Sequence, residues 1–374
     1  DIFRISKQIF PLIKITMISG IKLFITLGAL FFLIGCSDLG FYWQAASGHL
    51  ELLNRKQDIQ ELLESPETSP VLKRKLKLVE SVRKYAVLKM GLPENTAYTA
   101  YVDLGRPFVT MVVTASQPLE LKPKQWCYWF VGCQEYRGYF DQKDAEAFAL
   151  KMEEQNLDVS LAGVSAYSTL DWLNKPWLPN YFSDPVLSTF LLKHDAELIA
   201  TLIHEMAHQI VYVKNDTTFN ESFATFVEQE GLLQFLAEGE NSILIEGNLE
   251  KTYQWYLTAR EDRLLFRKLV TKTFDKMKVL FAKNIPDTEK FKKKQQLFNE
   301  LRENFMRRKE EFQVLSYNKW FAKNLNNSHL LGVKRYHSQV EKFALLFEEQ
   351  GKQWTKFFDA VRKLAKQKNS KTIL

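Results

Sequence analysis

Apolar residues recur at helical spacing along most of the chain. In residues 41–90 they repeat every three to five positions, with a Ser/Pro-rich break at 65–70. From residue 195 onwards the same period continues, and Gly and Pro are sparse between 251 and 366. We therefore expect helices before residue 90, two helices at about 195–238 and a long helical C-terminal part at about 251–366. The charged residues of that part are expected on solvated helix faces.

Between residues 98 and 167 the pattern changes to short β-branched and aromatic runs bounded by Gly and Pro. FVTMVVTA (108–115), CYWFVG (127–132) and VSLAGVSAY (159–167) predict strands, whereas DAEAFALKMEEQ (144–155) predicts a helix. Strands confined to one part of a helical chain predict a helix-rich α+β fold with a small β-sheet.

The first 35 residues differ from the rest of the chain. An apolar run, IKLFITLGALFFL (21–33), follows basic residues and is too short to span a bilayer comfortably. This pattern predicts a signal peptide over 1–35, with Met17 as the better-proportioned start; the alternative is an uncleaved transmembrane anchor. Residues 36–374 are then expected to form a single domain.

The leader ends in Leu33-Ile34-Gly35-Cys36, which resembles a bacterial lipobox. In such lipoproteins the Cys is acylated and becomes the first mature residue. The resemblance therefore implies lipidation of Cys36 and a stable membrane anchor. Ser37 rather than Asp follows the Cys, which by the same resemblance implies an outer-membrane protein facing the periplasm.

Composition and charge narrow the possible partners. Hydrophobic residues make up 46% of the chain and charged residues 25%, as in an ordinary globular protein. The formal net charge is +7, of which the leader, with four basic residues and one acidic residue, carries +3. No Lys/Arg block alternates with aromatic residues elsewhere, so nucleic acid is not an expected partner.

Two further cysteines, Cys127 and Cys133, lie six positions apart in an aromatic segment. Outside the cytoplasm such a pair can form a disulfide. The alternative is two buried thiols, and the spacing alone leaves both open.

The segment with the most specific chemistry runs from Asp195 to Tyr212. Its apolar residues form one stripe, which predicts a largely buried helix with Asp195 as its N-cap. His204 and His208, four positions apart, then share a helix face and can bind one metal ion. Glu205 lies beside them, where it can act as a general base on water. The pattern predicts a zinc site; the alternative is two histidines satisfied on a buried helix face.

A second apolar helix is predicted after a break at 214–216. It carries Glu221, 13 residues beyond His208, far enough for a turn that folds this helix back against the first. Glu221 is the expected third zinc ligand. Glu228, two turns further along nearly the same face, is the rival ligand or a partner of a ligand. Carboxylates in so apolar a pattern are costly unless they are paired or metal-bound.

Together these segments resemble known peptidases. A His-Glu-x-x-His helix followed by a helix with Asn-Glu-x-x-Ala resembles the gluzincins, in which that Glu is the third ligand. HEMAHQIVYVKNDTTFNESFATFVE (204–228) more closely resembles the bacterial predicted aminopeptidase family of membrane lipoproteins. Other segments that resemble this family are 41–55, 131–141, 166–182 and 325–343.

The resemblance implies a zincin-like catalytic core, one zinc ion per chain, a peptide substrate and aminopeptidase activity. Two features depart from related enzymes. Thr225 occupies the position where many gluzincins have an Asp that orients a histidine. The chain also lacks the Gly-x-Met-Glu-Asn strand that holds the substrate amine in the wider group. More residues therefore support the prediction of a metallopeptidase than support the narrower prediction of an aminopeptidase.

The remaining catalytic candidates lie outside the two helices. Relatives stabilise the reaction's oxyanion with a Tyr or His from a downstream helix, so Tyr336 is the expected donor and His337 the alternative. The alternative is that Tyr336 is a core or surface tyrosine without a catalytic role. Glu135 and Asp141 are candidates for holding a substrate amine. Candidates that either line the cleft or pack in the core are Tyr136, Arg137 and Tyr139.

Two other functions fit the same residues. One is a metal-binding lipoprotein scaffold without catalysis, and the other is a zinc amidase that acts on cell-wall material. A scaffold would tolerate replacement of Glu205, whereas either hydrolase would need this carboxylate.

Overall fold

The structure is a computed structural model that describes residues 36–128, 132–166, 180–239, 242–335 and 339–372. The chain divides into two compact units, one that ends at Leu50 and one that begins at Glu51. No helix in these described ranges is both long and apolar enough to cross a bilayer. The predicted leader lies outside the described residues.

Helices dominate the described residues, as the apolar period predicts. In chain order they are α1 (Cys36–Asn54), α2 (Ile59–Glu64), α3 (Pro70–Tyr85), α4 (Gln142–Glu153), α5 (Ser188–Leu191), α6 (Asp195–Ala207), α7 (Thr217–Glu238), α8 (Leu249–Phe281), α9 (Asp287–Arg307), α10 (Asn318–Phe321), α11 (Asn327–Arg335), α12 (Val340–Glu349) and α13 (Trp354–Thr372). A π-helical segment, Ala86–Met90, follows α3, and short 3₁₀ turns occur at Asn180–Phe182, Ser242–Leu244 and Lys309–Glu311.

The strands are short and few, which confirms the helix-rich α+β class. They are β1 (Gln57–Asp58), β2 (Ala100–Val102), β3 (Thr110–Ser116), β4 (Trp126–Tyr128), β5 (Gly132–Gln134), β6 (Arg137–Tyr139), β7 (Asp158–Val164) and β8 (Val186–Leu187). They form an antiparallel sheet β6–β3–β7, a mixed sheet β1–β2–β8 and a hairpin β4–β5. Residues 98–167 therefore do not form one small sheet, because β2 pairs with distant strands.

The aromatic segment expected as one strand over 127–132 is instead part of the β4–β5 hairpin. Cys127 and Cys133 face each other across the hairpin and form a disulfide. Gly132 has a φ of 77°, which favours glycine. A side chain there would also collide with Asn215, whose Oδ1 accepts a hydrogen bond from the Cys133 N–H at 2.7 Å. The hairpin is thus fixed against the loop that follows α6.

The N-cap residue of α6 is not Asp195, the residue that the sequence predicted. His194 is the N-cap, and its Nδ1 accepts a hydrogen bond from the Ala196 N–H at 3.2 Å. Asp195 is buried and pairs at 2.7 Å with both Arg74 and Lys75 of α3. Burial acts to raise the pKa of Asp195, but these hydrogen bonds outweigh it and lower the pKa. The carboxylate was therefore predicted at the right helix end but in the wrong role.

Two apolar cores hold the second unit together. The larger core contains buried residues of α3, α6, α7, α12 and α13 and the first half of α8, including Tyr256. The smaller core joins the second half of α8, from Phe266 onwards, to α9, α10 and α11. Buried apolar area is the main favourable contribution to folding, so α6 and α7 lie in the most strongly stabilised part of the unit.

Candidate metal centre

The loop between α6 and α7 turns the two helices back against each other. The buried side chain of Asn220, in the first turn of α7, accepts a hydrogen bond from the Val213 N–H of the loop at 2.8 Å and donates one to the Val213 carbonyl at 2.9 Å. Asp216 caps α7 by accepting from the Phe219 N–H at 2.9 Å. These bonds fix the register of α7, and therefore the position of Glu221, relative to α6.

Three predicted residues converge in this arrangement. Nε2 of His204 lies 3.4 Å from Oε2 of Glu221, and Nε2 of His208 lies 4.0 Å from the same oxygen. One ligand atom of each residue lies within 4.8 Å of the others. The two imidazole rings are nearly perpendicular, at 82°, with centroids 4.9 Å apart. The side chains thus surround a single small volume.

The second histidine occupies the end of α6 and not its interior. The helix ends at Ala207, and His208 is its C-cap with φ −59° and ψ −19°. This conformation is still right-handed helical, so the four-residue spacing keeps both rings on one face. The helical pattern expected to continue towards Tyr212 stops here because residues 208–216 form the loop to α7.

Glu228 approaches His204 from the other edge of the ring. Its Oε2 lies 3.0 Å from His204 Nδ1, whereas Glu221 faces Nε2. A carboxylate on Nδ1 fixes the tautomer and orientation of a histidine whose other nitrogen faces a metal. Of the two roles expected for Glu228, the geometry matches that of a partner to a ligand.

The electrostatics of the cluster favour a bound cation. Burial alone would lower the pKa of His204, but its contacts with Glu221 and Glu228 raise that pKa well above its usual value. Burial lowers the pKa of His208 to about 4, so this ring is neutral, as a metal ligand must be. A surplus of carboxylates around two imidazoles is stabilised by a proton or, better, by a metal ion.

Glu205 lies next to the cluster with an unusual acidity. Burial raises its pKa to about 7; the charge of His204 opposes this change, and Glu221 and the buried Asp184 add to it. A carboxyl group with a pKa near neutrality can both accept and return a proton at physiological pH. Asp184 was not predicted from the sequence, since nothing in its segment marks it as a neighbour of Glu205.

The three converging residues fit a tetrahedral metal such as zinc. Ligand atoms at bond lengths of about 2.0–2.2 Å in a tetrahedral site lie about 3.3–3.6 Å apart. The 3.4 Å separation between His204 and Glu221 lies in this range, the 4.0 Å separation between His208 and Glu221 is longer, and all three ligand atoms lie within 4.8 Å of one another. Nδ1 of the buried His208 has no hydrogen-bond partner among the described residues, and its Nε2 is beyond hydrogen-bonding distance of Glu221.

Four other predicted residues are not among the converging ligands. Tyr336 and His337 lie outside the described residues. Asp141 is the N-cap of α4 and accepts from the Lys143 N–H at 2.7 Å, while Glu135 lies between β5 and β6.

The cleft-lining candidates of β6 are packing residues. Arg137 and Tyr139 are both buried against Phe148 of α4. The Arg137 guanidinium lies 4.9 Å from the ring centroid, and the Tyr139 ring lies 5.4 Å from it. These contacts match the packing alternative.

The sequence also left some neighbours of the site unrecognised. Tyr212 accepts a hydrogen bond from Gln134 of β5 at 3.0 Å. Burial and the nearby charge of Glu221 raise the pKa of Tyr212, although the hydrogen bond to Gln134 opposes this change. A row of arginines on α8 also lies beside His204. Its only sequence signal is the helical spacing of 260, 263 and 267.

A protein-family model matches most of the chain. The model of the family described as "Putative aminopeptidase" matches residues 40–373. No curated protein and no solved structure matches the chain significantly.

Proposed function

Since the chain belongs to the putative aminopeptidase family, we propose that it is a zinc-dependent aminopeptidase. His204, His208 and Glu221 would hold one zinc ion per chain, and Glu205 would act as the general base. The observation that carries this proposal is the convergence of the three ligand atoms within 4.8 Å of one another, beside a half-buried carboxyl group.

Each residue of the site has a defined task in this proposal. When bound, zinc supplies a Lewis acid that polarises a peptide carbonyl and lowers the pKa of water towards neutrality. The Glu205 carboxylate takes a proton from the attacking water and passes it to the nitrogen of the leaving amine. Glu228 holds the His204 ring through Nδ1, so that Nε2 keeps its direction.

Two further roles remain predictions. Tyr336 would donate a hydrogen bond to the oxyanion. A carboxylate near the metal centre would hold the free amine of the substrate, and Glu135 is the candidate with no capping role, because Asp141 is engaged at the start of α4.

We also propose that the protein is lipid-anchored through Cys36 and faces the periplasm from the outer membrane. The Leu-Ile-Gly-Cys sequence supports this location. The disulfide between Cys127 and Cys133 also supports it, because disulfides persist in oxidising compartments.

The test replaces Glu205 by Gln and measures zinc content together with hydrolysis of aminoacyl anilides. We expect about one zinc per chain in both proteins, and a loss of kcat/KM on the order of a hundredfold or more in the variant, because an amide cannot relay the proton. Glu238→Gln, the same change at the exposed end of α7, is the matched control and should behave as wild type.

Substrates with and without a free amine distinguish an aminopeptidase from the alternative functions. An aminopeptidase cleaves anilides with a free amine and not their N-acetylated counterparts. Equal cleavage of both would mean that the protein is not an aminopeptidase, although its zinc chemistry would stand. Wild-type protein that takes up no zinc, or Glu205→Gln protein with full activity, would overturn the mechanism. Function in the cell that survives Glu205→Gln would favour the scaffold.

A further inference from the structure

A cavity of about 210 Å³ lies against the metal centre, on the side where α8 packs. Its walls include His204 of α6, Thr225 and Glu228 of α7, and Arg260, Arg263 and Arg267 of α8. His204 is therefore shared: the same residue borders the cavity and faces Glu221 through Nε2. Glu228, which contacts Nδ1 of the same ring, lines the cavity as well, so the cavity adjoins the candidate metal centre.

The three arginines present their charges to the same space. Positions 260, 263 and 267 follow helical spacing, which places them on one face of α8. Arg260 is exposed, whereas Arg263 and Arg267 are half-buried. The row therefore runs from solvent to a partly desolvated position, where the attraction between a guanidinium and an anion is stronger than in water.

The acidic groups of the protein neutralise this row only in part. Arg263 lies 3.6 Å from Glu197 in a partly exposed pair. Glu228 uses Oε2 for His204. Within the ranges that the structure describes, no carboxylate lies within 4.0 Å of Arg260 or Arg267.

The deepest arginine carries a further unsatisfied group. The Arg267 Nε is fully buried and has no hydrogen-bond partner among the described residues. Burial lowers the pKa of Arg267, and the charge of Glu341 opposes this change. Arg267 also lines the cavity, so its charge acts on an anion there, and the partly desolvated position strengthens that attraction.

The dimensions and chemistry of the cavity restrict its ligand. One water occupies about 30 Å³ in the liquid, so a cavity of about 210 Å³ accommodates a carboxylate and a few attached atoms but not a folded partner. The planar guanidinium group matches a carboxylate with two parallel hydrogen bonds.

We propose that this cavity binds the C-terminal carboxylate of a short peptide substrate. The proposal rests on the peptidase function above and makes it more specific: the enzyme selects peptides short enough for the carboxylate to reach the arginines while the scissile bond lies at the metal centre. The shared ligand chemistry is that of an oxyanion, and a free anion such as phosphate is the other source to be distinguished.

The test compares di- and tripeptides that carry either a free C-terminal carboxylate or a C-terminal amide. We expect wild-type enzyme to favour the free acid at least tenfold in kcat/KM, and the preference to fade as the peptide lengthens. Arg260→Gln and Arg267→Gln should abolish the preference. Lys268→Gln removes one positive charge from an exposed position of the same helix and should retain it. Arg260 is exposed, so its variant remains informative if Arg267→Gln fails to fold.

Equal turnover of acid and amide by the wild-type enzyme would overturn the proposal, as would a preference that survives both arginine substitutions. Calorimetry with the Glu205→Gln protein separates this failure from failure of the peptidase function. Tighter, arginine-dependent binding of the acid to the Glu205→Gln protein, together with no hydrolysis of any peptide by the zinc-loaded wild-type protein, would leave the site standing and the peptidase function refuted. Arginine-dependent binding of inorganic phosphate, without any preference among peptides, would reassign the cavity to a free anion and overturn the substrate assignment.

Discussion

His204 has a different glutamate at each ring nitrogen. Glu221 lies 3.4 Å from Nε2, on the side shared with His208, and Glu228 lies 3.0 Å from Nδ1. A glutamate that shares the space with both Nε2 atoms can be a metal ligand. A glutamate on Nδ1 orients the ring without reaching that space.

This asymmetry predicts different losses of zinc affinity for the two glutamates. Glu221→Gln should weaken zinc binding by well over a hundredfold, because a ligand is removed. Glu228→Gln should weaken it by about 10–100-fold, because only the orientation of His204 is affected. Competition with a chromophoric chelator measures both affinities. The assignment would be wrong if Glu228→Gln lost as much zinc affinity as Glu221→Gln.

Among individual residues, the three that converge could be predicted from the sequence, whereas the roles of the residues around them could not. His204, His208 and Glu221 follow from spacing, because a helix fixes the face on which residues four apart lie. The sequence favoured Glu221 as the ligand but left Glu228 as either a rival ligand or a partner of a ligand, since both lie on nearly the same face of α7. The choice depends on the ring orientation and on the loop before α7.

That loop is held by Asn220, whose side chain bonds to both the N–H and the carbonyl of Val213. Asn220 and Val213 are both buried, so water cannot replace these bonds. The position directly before Glu221 thus stabilises the turn that brings Glu221 to the histidines. The Asn of the Asn-Glu-x-x-Ala segment has a structural role here.

Asn220→Ala should therefore reduce both stability and zinc affinity. The Val213 N–H would lose its partner, whereas the Val213 carbonyl also accepts from the Asp216 N–H at 3.3 Å. A buried backbone group without a partner costs about 1–3 kcal/mol, so we expect a loss of about that size in the free energy of unfolding. Zinc affinity should fall at least tenfold as Glu221 loses its fixed position. Urea unfolding and chelator competition measure the two effects.

Asn248→Ala is the matched control for this prediction. Asn248 caps α8 by accepting from the Lys251 N–H at 2.7 Å, so its loss should cost about 1 kcal/mol. Zinc affinity should not change in this variant. Wild-type zinc affinity in a destabilised Asn220→Ala protein would show that the turn does not position the site.

The elements themselves were predictable to different degrees. The long helices followed from the apolar period, because burying one face requires it. The β4–β5 hairpin could not be predicted in this way, because a run of aromatic residues is compatible both with one continuous strand and with two strands joined by a turn. The end of α6 at Ala207 was also missed, because the apolar stripe continues to Ile210 although the helix does not.

Across the second unit, α8 links the two apolar cores. Tyr256 packs in the larger core and Phe266 in the smaller one, and the arginines occupy this same stretch of the helix. The metal centre belongs to the helices of the larger core. Where the two cores meet depends on contacts between residues far apart in the chain, which no local pattern encodes, so the cavity could not be predicted from sequence.

The proposed attachment to the membrane concerns the whole protein and rests on Cys36. In the native host, Cys36→Ser should move the protein from the membrane fraction to the soluble fraction or leave it unprocessed. A single acyl chain binds a bilayer weakly and reversibly, whereas the several chains of a lipoprotein give a stable anchor, so loss of Cys36 should release the protein. Ser37→Ala, at the adjacent position, keeps the Cys36 thiol that we propose is acylated and should remain membrane-bound. Fractionation followed by mass spectrometry of the mature N-terminal peptide distinguishes the cases. A mature, membrane-bound protein with an unmodified Cys36 thiol would exclude the lipid anchor, while the zinc chemistry of His204, His208 and Glu221 would be unaffected.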